Sequence, residues 1–325
     1  MSPAVPASND RGSYVVGARG SVALVAFVAM VAATAFGGCA SQPSPGGDAS
    51  ALGDDAITVA SFDFPESELL AEVYGQALQA AGFEVRFEIG LGPRELVQPA
   101  LARGLVELVP EYAGTALRFV SLGESPSTDD LAATTSALGH ALRDRGLVAL
   151  APAPAQDANA VVVTRALADL YALDEISDLA AVASRLTFGG PPGCPDRPFC
   201  LAGLEDTYGV RFAAFLPLDV GGPLTHQALS GGHVDVALLF TTDPGIAGDE
   251  LVVLADDRGL QPAENVTPVV RREVVQRWGD RFVDTVDEVS GRLTTETLRS
   301  LNARVAGGEP RARVAGDWLR GEGLA

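Results

Sequence analysis

ITVASFDFPESELLAEVYGQALQAAGFEVRFEIG, residues 57–90, carries the pattern that decides the fold. Its first six residues form a short apolar run typical of a strand, and residues 83–90 alternate between apolar and polar as a second strand does. Between them, from Glu66 to Ala81, apolar residues recur at helical spacing: Leu69, Leu70, Val73, Ala77, Leu78 and Ala81. Pro65 lies near the first turn of this helix and Gly82 marks its stop. The stretch therefore predicts a strand–helix–strand unit.

The same alternation of strands and helices continues along the chain. Residues 93–104 and 129–145 are predicted as helices, with a strand at 105–112 between them. A second series of strands then begins, at 158–165, 186–190 and 210–219, and closes with 233–242, before another strand at 250–257. From Arg271 onward the pattern is that of amphipathic helices. The expected fold class is α/β, with two lobes in series, each built on a parallel or mixed sheet, and a helical C-terminus.

Three segments that follow predicted strands carry polar or aromatic residues: PEYAGT (110–115), SFDFPES (61–67) and TTDPG (241–245). In open α/β sheets, ligands bind outside the carboxyl ends of the strands. We therefore predict a ligand cleft there, with Tyr112 and Thr115 among its residues. For Asp243, the simpler expectation is that it stabilises a turn.

Composition narrows the classes of function. The chain has 325 residues, 47% of them hydrophobic, which suits a globular protein of one or two domains. Its formal net charge of −19 disfavours binding to nucleic acid or to anionic lipid. The sequence contains three histidines, none spaced for metal binding with the cysteines, and no G-x-S-x-G elbow or P-loop. We expect no enzyme activity, no metal and no cofactor.

The N-terminal residues 1–38 indicate a secretory signal, with Arg11 and Arg19 before an apolar run and Gly-Gly before Cys39. This end resembles the lipobox of bacterial lipoproteins, which implies that Cys39 is lipidated. The apolar run is shorter than the roughly 20 residues that a membrane span needs. Residues 39–56 are rich in Ser, Pro, Gly and Asp and are predicted as a flexible tether. The protein is expected outside the cytoplasm, held to the membrane by lipid, where Cys194 and Cys200 would form a disulfide.

Four segments together resemble one protein family: SFDFPESELLAEVYGQALQAAGFEV, LGPRELVQPALARGLVELVPEYAGTAL, GGHVDVALLFTTDPGI and DDRGLQPAENVTPVVRREVV. They resemble the substrate-binding proteins of ABC importers for osmoprotectants such as glycine betaine, choline and proline betaine. The resemblance implies a two-lobed periplasmic-binding-protein fold of type II with a hinge and a cleft. Lobe 1 would comprise 57–155 and 248–325, and lobe 2 would comprise 156–247. The implied partners are a small amine ligand, a membrane permease and an ATPase.

The resemblance also implies roles for single residues. Tyr112 matches a tyrosine of the aromatic cage around a quaternary ammonium, and Thr115 matches a threonine near the ligand's carboxylate. Phe240 stands where the family usually has a tyrosine, and Arg197 matches a carboxylate-binding arginine. Three further positions depart from the family pattern: Asn159 and Glu264 stand where rings are expected, and Phe62 where several members have lysine.

On this alignment two of the four expected rings are missing, a loss of about 1–4 kcal/mol of cation–π attraction. Glu264 suggests a replacement, because a carboxylate facing a desolvated cleft favours a cation or a ligand with N–H donors. The sequence thus leaves two functions open. One is the import of a betaine- or choline-like osmolyte; the other is a surface-anchored sensory or binding module with a shifted ligand, such as a cationic amine.

Overall fold

The structure, a computed structural model, describes residues 56–124 and 128–325. The strands are β1 (Ile57–Phe62), β2 (Val85–Gly92), β3 (Leu108–Tyr112), β4 (Leu147–Ala149), β5 (Asn159–Thr164), β6 (Thr187–Gly190), β7 (Ala214–Pro217), β8 (Val236–Phe240), β9 (Leu251–Val253) and β10 (Val266–Arg271). The helices are α1 (Pro65–Ala80), α2 (Arg94–Arg103), α3 (Ala113–Val120), α4 (Leu131–Arg143), α5 (Arg165–Tyr171), α6 (Leu201–Tyr208), α7 (Pro223–Ser230), α8 (Arg272–Arg292), α9 (Thr295–Ala306) and α10 (Arg311–Glu322). The predicted signal, the lipidation site Cys39 and residues 39–55 of the tether lie outside these residues.

The first sheet has the strand order β2-β1-β3-β10-β4, and the predicted unit at 57–90 forms its start. β1 pairs in parallel with β2 and β3, while β10 runs antiparallel between β3 and β4. Helix α1 packs its apolar stripe against this sheet so closely that a Cβ on Gly75 would lie 2.2 Å from Cε1 of Phe87. Glycine at this position therefore sets the distance between helix and strand.

The second sheet has the order β7-β6-β8-β5-β9 and contains every strand of the second predicted series together with β9, from the strand predicted at 250–257. β6 pairs in parallel with β7 and β8, and β5 lies antiparallel between β8 and β9. The predicted strand at 210–219 is reduced to Ala214–Pro217, because β7 is an edge strand that is mostly exposed. Helices α3, α5 and α6 have seven or eight residues, too few for a helical pattern to be distinctive.

Two crossover segments join the sheets, one between β4 and β5 and one between β9 and β10. We define lobe 1 as residues 57–149 and 266–325, and lobe 2 as residues 159–253. The sequence placed the return to lobe 1 at 247/248, whereas β9 pairs with β5 and keeps Val253 in the second sheet. The crossover segments pair with each other, since the N–H of Asp157 donates to the carbonyl of Glu264 at 3.0 Å.

Helices α8 to α10 complete lobe 1 as the sequence predicted. Helix α9 begins with Thr294 as its cap, whose hydroxyl accepts a hydrogen bond from the N–H of Thr297 at 3.1 Å. Helix α8 kinks at Gly279, where φ is +60°. Within residues 56–124 and 128–325, no helix has both the length and the apolar character to cross a membrane.

Candidate functional site

A cleft of about 1050 Å³ opens between the lobes and the two crossover segments. Lobe 1 contributes the start of α1, the end of β3 and the C-terminal half of α9, and lobe 2 contributes the end of β8, the start of α7 and the loop before α6. The structure thus brings together the three segments that were singled out in the sequence, SFDFPES, PEYAGT and TTDPG. They meet because the strands that precede them end at the same edge of their sheets.

Four aromatic side chains line this cleft in the described part of the chain: Phe64, Tyr112, Phe199 and Phe240. Phe64 and Tyr112 stack on each other with centroids 6.2 Å apart. The sequence had placed Tyr112 and Phe240 here but expected two of four rings to be missing. Asn159 and Glu264 indeed carry no rings, and Phe64 and Phe199 bring two further rings to the cleft from other positions.

Phe62 and Arg197 are not among the residues that line the cleft. The Phe62 side chain is buried beneath Phe64, with ring centroids 6.0 Å apart, and the guanidinium of Arg94 covers it at 4.8 Å. Arg197 is exposed on the loop between the two cysteines. That loop places Phe199 in the cleft instead, with the guanidinium of Arg118 stacked over its ring at 4.9 Å.

Glu66, at the start of α1, is a buried carboxylate of the cleft. It accepts hydrogen bonds from the hydroxyl of Tyr112 and from Nδ2 of Asn302, both at 2.6 Å. Burial raises the pKa of Glu66, against the opposing effect of these donors. Burial also raises the pKa of Tyr112 well above its ordinary value, so the hydroxyl keeps its proton and remains a donor.

Asp157, on the first crossover segment, places a second carboxylate in the same cleft. Its Oδ1 accepts a hydrogen bond from the hydroxyl of Thr242 at 2.7 Å. Burial raises the pKa of Asp157 well above its ordinary value, and the carboxylate of Glu66 raises it further. Two carboxylates that share a desolvated site resist ionising together, and a bound cation would relieve that repulsion.

Glu264, on the second crossover segment, is a third carboxylate and is 9% exposed. It accepts two hydrogen bonds from one residue of the first turn of α3, from the N–H of Thr115 at 3.0 Å and from its hydroxyl at 2.6 Å. Burial raises the pKa of Glu264, while the bonds to Thr115 and the charge of Arg94 lower it. Glu264 therefore lies in the cleft lining, and Thr115 holds it there.

Asn159 lies at the start of β5 in the cleft lining, and its amide supports neighbouring groups. Its Nδ2 donates to the carbonyl of Phe199 at 3.1 Å and to Oε1 of Gln261 at 3.0 Å. Asn159 thus helps to hold the backbone that carries the Phe199 ring. Its role in the structure is to position an aromatic residue rather than to replace one.

His226 and Asp243 form an ion-pair-type contact at the lobe 2 side of the cleft, with Nε2 and Oδ2 2.8 Å apart. The hydrogen bond to Asp243 raises the pKa of His226. Asp243 also accepts from the N–H of Gly245 at 2.7 Å, so it stabilises the turn as the sequence indicated. Among the residues that the structure describes, no group of three His, Cys, Asp or Glu side chains is arranged to hold a metal ion.

An ion pair behind the cleft explains the carboxylate in the buried strand LVPEY. Glu111 is fully buried and accepts from Nη2 of Arg94 at 2.9 Å and from Nε2 of Gln98 at 2.6 Å. Arg94 in turn covers the ring of Phe62. The strand therefore ends in Glu-Tyr because Glu111 anchors α2 from behind while Tyr112 faces the cleft.

Several cleft residues were missed by the sequence reasoning: Phe64, Glu66, Asp157, Phe199, His226 and Asn302. Phe64 and Glu66 lie inside the segment SFDFPES that had been assigned to the cleft, so their place in the sequence was a usable signal. Phe199 and Asn302 gave none, because a loop and a helix bring them to the cleft from far along the chain.

Two α/β lobes that enclose a cleft and are joined by two crossover segments define a two-lobed substrate-binding protein. Residues 55–321 match the family model described as the substrate-binding domain of the ABC-type glycine betaine transport system. The chain belongs to this family, and the predicted resemblance and fold class are confirmed. It is thus an extracytoplasmic substrate-binding protein of the importers for glycine betaine and related osmoprotectants, which work with an ABC permease.

Two relatives and one solved structure illustrate the match. The chain is 29% identical over 276 residues to the glycine-betaine-binding protein of Pseudomonas aeruginosa strain PAO1, covering 82% of this chain and 88% of that one. It is 26% identical over 282 residues to the glycine betaine-binding protein YehZ of Escherichia coli K12, covering 82% and 90%. The crystal structure of a glycine betaine/carnitine/choline ABC transporter protein superposes with a TM-score of 0.75 at 24% identity, covering 82% of this chain and 99% of that one.

Proposed function

We propose that this protein captures a small quaternary-ammonium or related amine osmolyte outside the cytoplasm and delivers it to a permease coupled to an ATPase. The observation that carries the proposal is the pairing of four aromatic side chains with the carboxylates of Glu66, Asp157 and Glu264 in one cleft. A quaternary ammonium cannot donate a conventional N–H hydrogen bond, so it is held by aromatic faces and by opposite charge. Each ring contributes about 0.5–2 kcal/mol.

The proposed contacts differ from those inferred from the sequence. Phe64, Tyr112, Phe199 and Phe240 would surround the cation, while Glu264 would face its charge. Thr115 and Asn159 would act by holding Glu264 and the Phe199 segment in place. We propose no ligand contact for Phe62 or Arg197, which lie outside the cleft lining.

We propose two roles for the cysteines: Cys194 and Cys200 make a loop of the cleft rigid, and Cys39 attaches the chain to the membrane. Cys194 and Cys200 are buried with Cα atoms 5.3 Å apart, a distance that suits a disulfide, and such a bond would close the loop that carries Phe199. Alkylation of either residue in the denatured, unreduced protein would contradict this. Cys39 is proposed to carry the lipid anchor, so Cys39→Ala should release the chain from the membrane fraction.

Ligand capture is tested by thermal unfolding and calorimetry on the full-length chain in a mild non-ionic detergent. The panel comprises choline, glycine betaine, proline betaine and carnitine. Glucose at the same concentration is the control, because it carries no cation. A ligand at 100 times its Kd should raise the free energy of unfolding by about 2.7 kcal/mol. If no amine of the panel gives a larger shift than glucose, the proposal is contradicted.

Delivery is tested separately by uptake of the radiolabelled ligand into cells with and without this gene. Loss of uptake on deletion, restored by the wild-type chain, is the expected result. Binding in solution without any effect on uptake would favour the sensory module instead.

A further inference from the structure

The cleft offers acceptors but few free donors. Five of its side chains carry hydroxyl or primary amide protons that already donate to acceptors of the protein: Tyr112, Thr115, Asn159, Thr242 and Asn302. Gln261 uses its amide on the carbonyl of Phe199, and His226 pairs with Asp243. A ligand that needs hydrogen-bond donors from the protein would have to break these bonds.

The basic groups at and around the cleft are already engaged by the protein, since the His226 imidazole of the lining pairs with Asp243. Among the described residues, no arginine or lysine lines the cleft. The guanidinium of Arg94 is engaged with Glu111 and the ring of Phe62, and that of Arg118 stacks on Phe199. A carboxylate bound in a protein is normally met by cationic, hydroxyl or backbone N–H donors.

The first turn of α3 is an anion-binding feature at the cleft, and the protein itself fills it. The N–H of Thr115 and its hydroxyl both point at the Glu264 carboxylate, at 3.0 and 2.6 Å. The N–H groups of Ala113 and Gly114 donate to the carbonyls of Asn265 and Ala263. The donors of this turn that could take a ligand's carboxylate are therefore occupied, those of Thr115 by a carboxylate of the chain and those of Ala113 and Gly114 by backbone carbonyls.

We propose that the ligand is an amine cation without a carboxylate, and that Glu264 determines this specificity by occupying the subsite that a ligand's carboxylate would use. This inference rests on the proposed function and narrows its ligand class. A zwitterion would bring a second carboxylate towards Glu264, Asp157 and Glu66, and like charges in a desolvated cleft repel strongly.

Choline and glycine betaine provide a matched pair of probes. Both carry a trimethylammonium group on a two-carbon chain, and they differ in ending with a hydroxyl or a carboxylate. Cation–π attraction is therefore the same for both, and the ratio of their Kd values reports on the far end of the ligand. We expect the wild-type protein at pH 8 to bind choline at least about tenfold more tightly, the effect of a modest like-charge repulsion.

Two substitutions at Glu264 separate charge from occupancy of the subsite. Glu264→Gln keeps the shape and removes the charge, so choline should bind several-fold more weakly. Glu264→Ala also frees the donors of Thr115, so glycine betaine should gain affinity. The ratio of the glycine betaine Kd to the choline Kd should then fall by about tenfold or more. Glu296→Gln, at an exposed position of α9 outside the cleft lining, is the matched control and should leave both Kd values unchanged.

The outcomes distinguish this inference from the function on which it rests. Glycine betaine binding as tightly as choline to the wild type overturns the inference and leaves the proposed function standing. A ratio that neither variant changes overturns the role of Glu264. If the wild type binds neither probe but binds carnitine or proline betaine, the inference fails and the proposed function stands; if no amine of the panel binds, both fail. Thermal unfolding of each variant checks that it is folded. If Glu264→Ala does not fold, the Kd values of Glu264→Gln decide whether Glu264 contributes to the specificity.

Discussion

At the scale of the residue, the cleft is dominated by carboxylates placed where charge is unfavourable. Asp157 and Glu66 lie in the same desolvated site, and burial raises the pKa of both. Each is held by donors from another element, Asp157 by Thr242 and Glu66 by Tyr112 and Asn302. Stability and ligand attraction therefore oppose each other here, because the charge that would attract a cation destabilises the empty cleft.

Asp157→Asn is expected to stabilise the empty protein increasingly as pH rises. The pKa of Asp157 is raised in the folded state, so its stabilising contribution is fully present below the unfolded pKa of about 3.9 and is lost as pH rises through the folded pKa. Asparagine does not titrate. The difference in free energy of unfolding, variant minus wild type, should grow between pH 4 and pH 8 in urea titrations. Asp169→Asn, at an exposed position of α5, should show no such trend.

The affinity for choline is expected to fall as pH is lowered. Protonated carboxylates attract a cation weakly, and the pKa values of Asp157, Glu66 and Glu264 are all raised by burial. Weakening should therefore begin above the ordinary range of about 3.9–4.3 for carboxylic acids. Calorimetry in two buffers of different ionisation enthalpy should detect proton release on binding. An affinity that stays constant between pH 8 and pH 5 without proton release would contradict this.

At the scale of the element, α3 joins the sheet to the cleft. It begins directly after Tyr112, and its first turn meets the second crossover segment through Gly114 and Thr115. A Cβ on Gly114 would lie 3.0 Å from the Ala263 carbonyl oxygen, from Oε1 of Glu264 and from Cβ of Pro262. Glycine here is a requirement of close packing, not of backbone conformation.

Gly114→Ala is expected to destabilise the protein by about 1–3 kcal/mol, because overpacking outweighs the gain in helix propensity. Gly139→Ala is the matched control on α4, where an added Cβ would meet no atom within 4 Å, and it should stabilise by about 0.5–1 kcal/mol. Urea unfolding measures both. Equal stabilisation by the two substitutions would mean that the crossover segment yields to the extra methyl group.

At the scale of the whole molecule, the lobes are joined by more than the crossover segments. Arg299 of α9 donates from Nε and Nη2 to the carbonyl of Thr241, at 3.0 and 2.7 Å. Asn302 donates to the carbonyl of Thr242, and Arg118 of lobe 1 stacks on Phe199 of lobe 2. Because Asp157 and Glu264 lie on the paired crossover segments, a bound cation would act close to the hinge.

Arg299→Ala is expected to lower the free energy of unfolding by about 1.5–3 kcal/mol, since it removes charge-assisted hydrogen bonds between the lobes. The control is Arg292→Ala, which removes a surface pair with Glu322 at 3.4 Å and should cost about 0–1 kcal/mol. Equilibrium unfolding in urea compares the two. Similar small effects would show that this contact contributes little to holding the lobes together.

The sequence by itself determined the fold class, the order of elements along each lobe and three segments of the cleft. It could do so because periodicity and stop signals act over a few residues, as in α1 and the strand that ends at Tyr112. Through the family resemblance it also pointed to Phe240, Asn159 and Glu264, which lie in the cleft lining. What each of them does there was not determined in this way.

Only the tertiary structure decided which rings and charges meet. Phe64 and Phe199 replace the missing rings, whereas Arg197 on the same loop remains outside, since the fold of the loop between the cysteines decides which side chain faces inwards. Thr115 and Glu264 are 149 positions apart in the chain, yet they form the contact on which the specificity proposal depends. No local pattern encodes such a contact, because it arises from the packing of a crossover segment against a helix that folds elsewhere in the sequence.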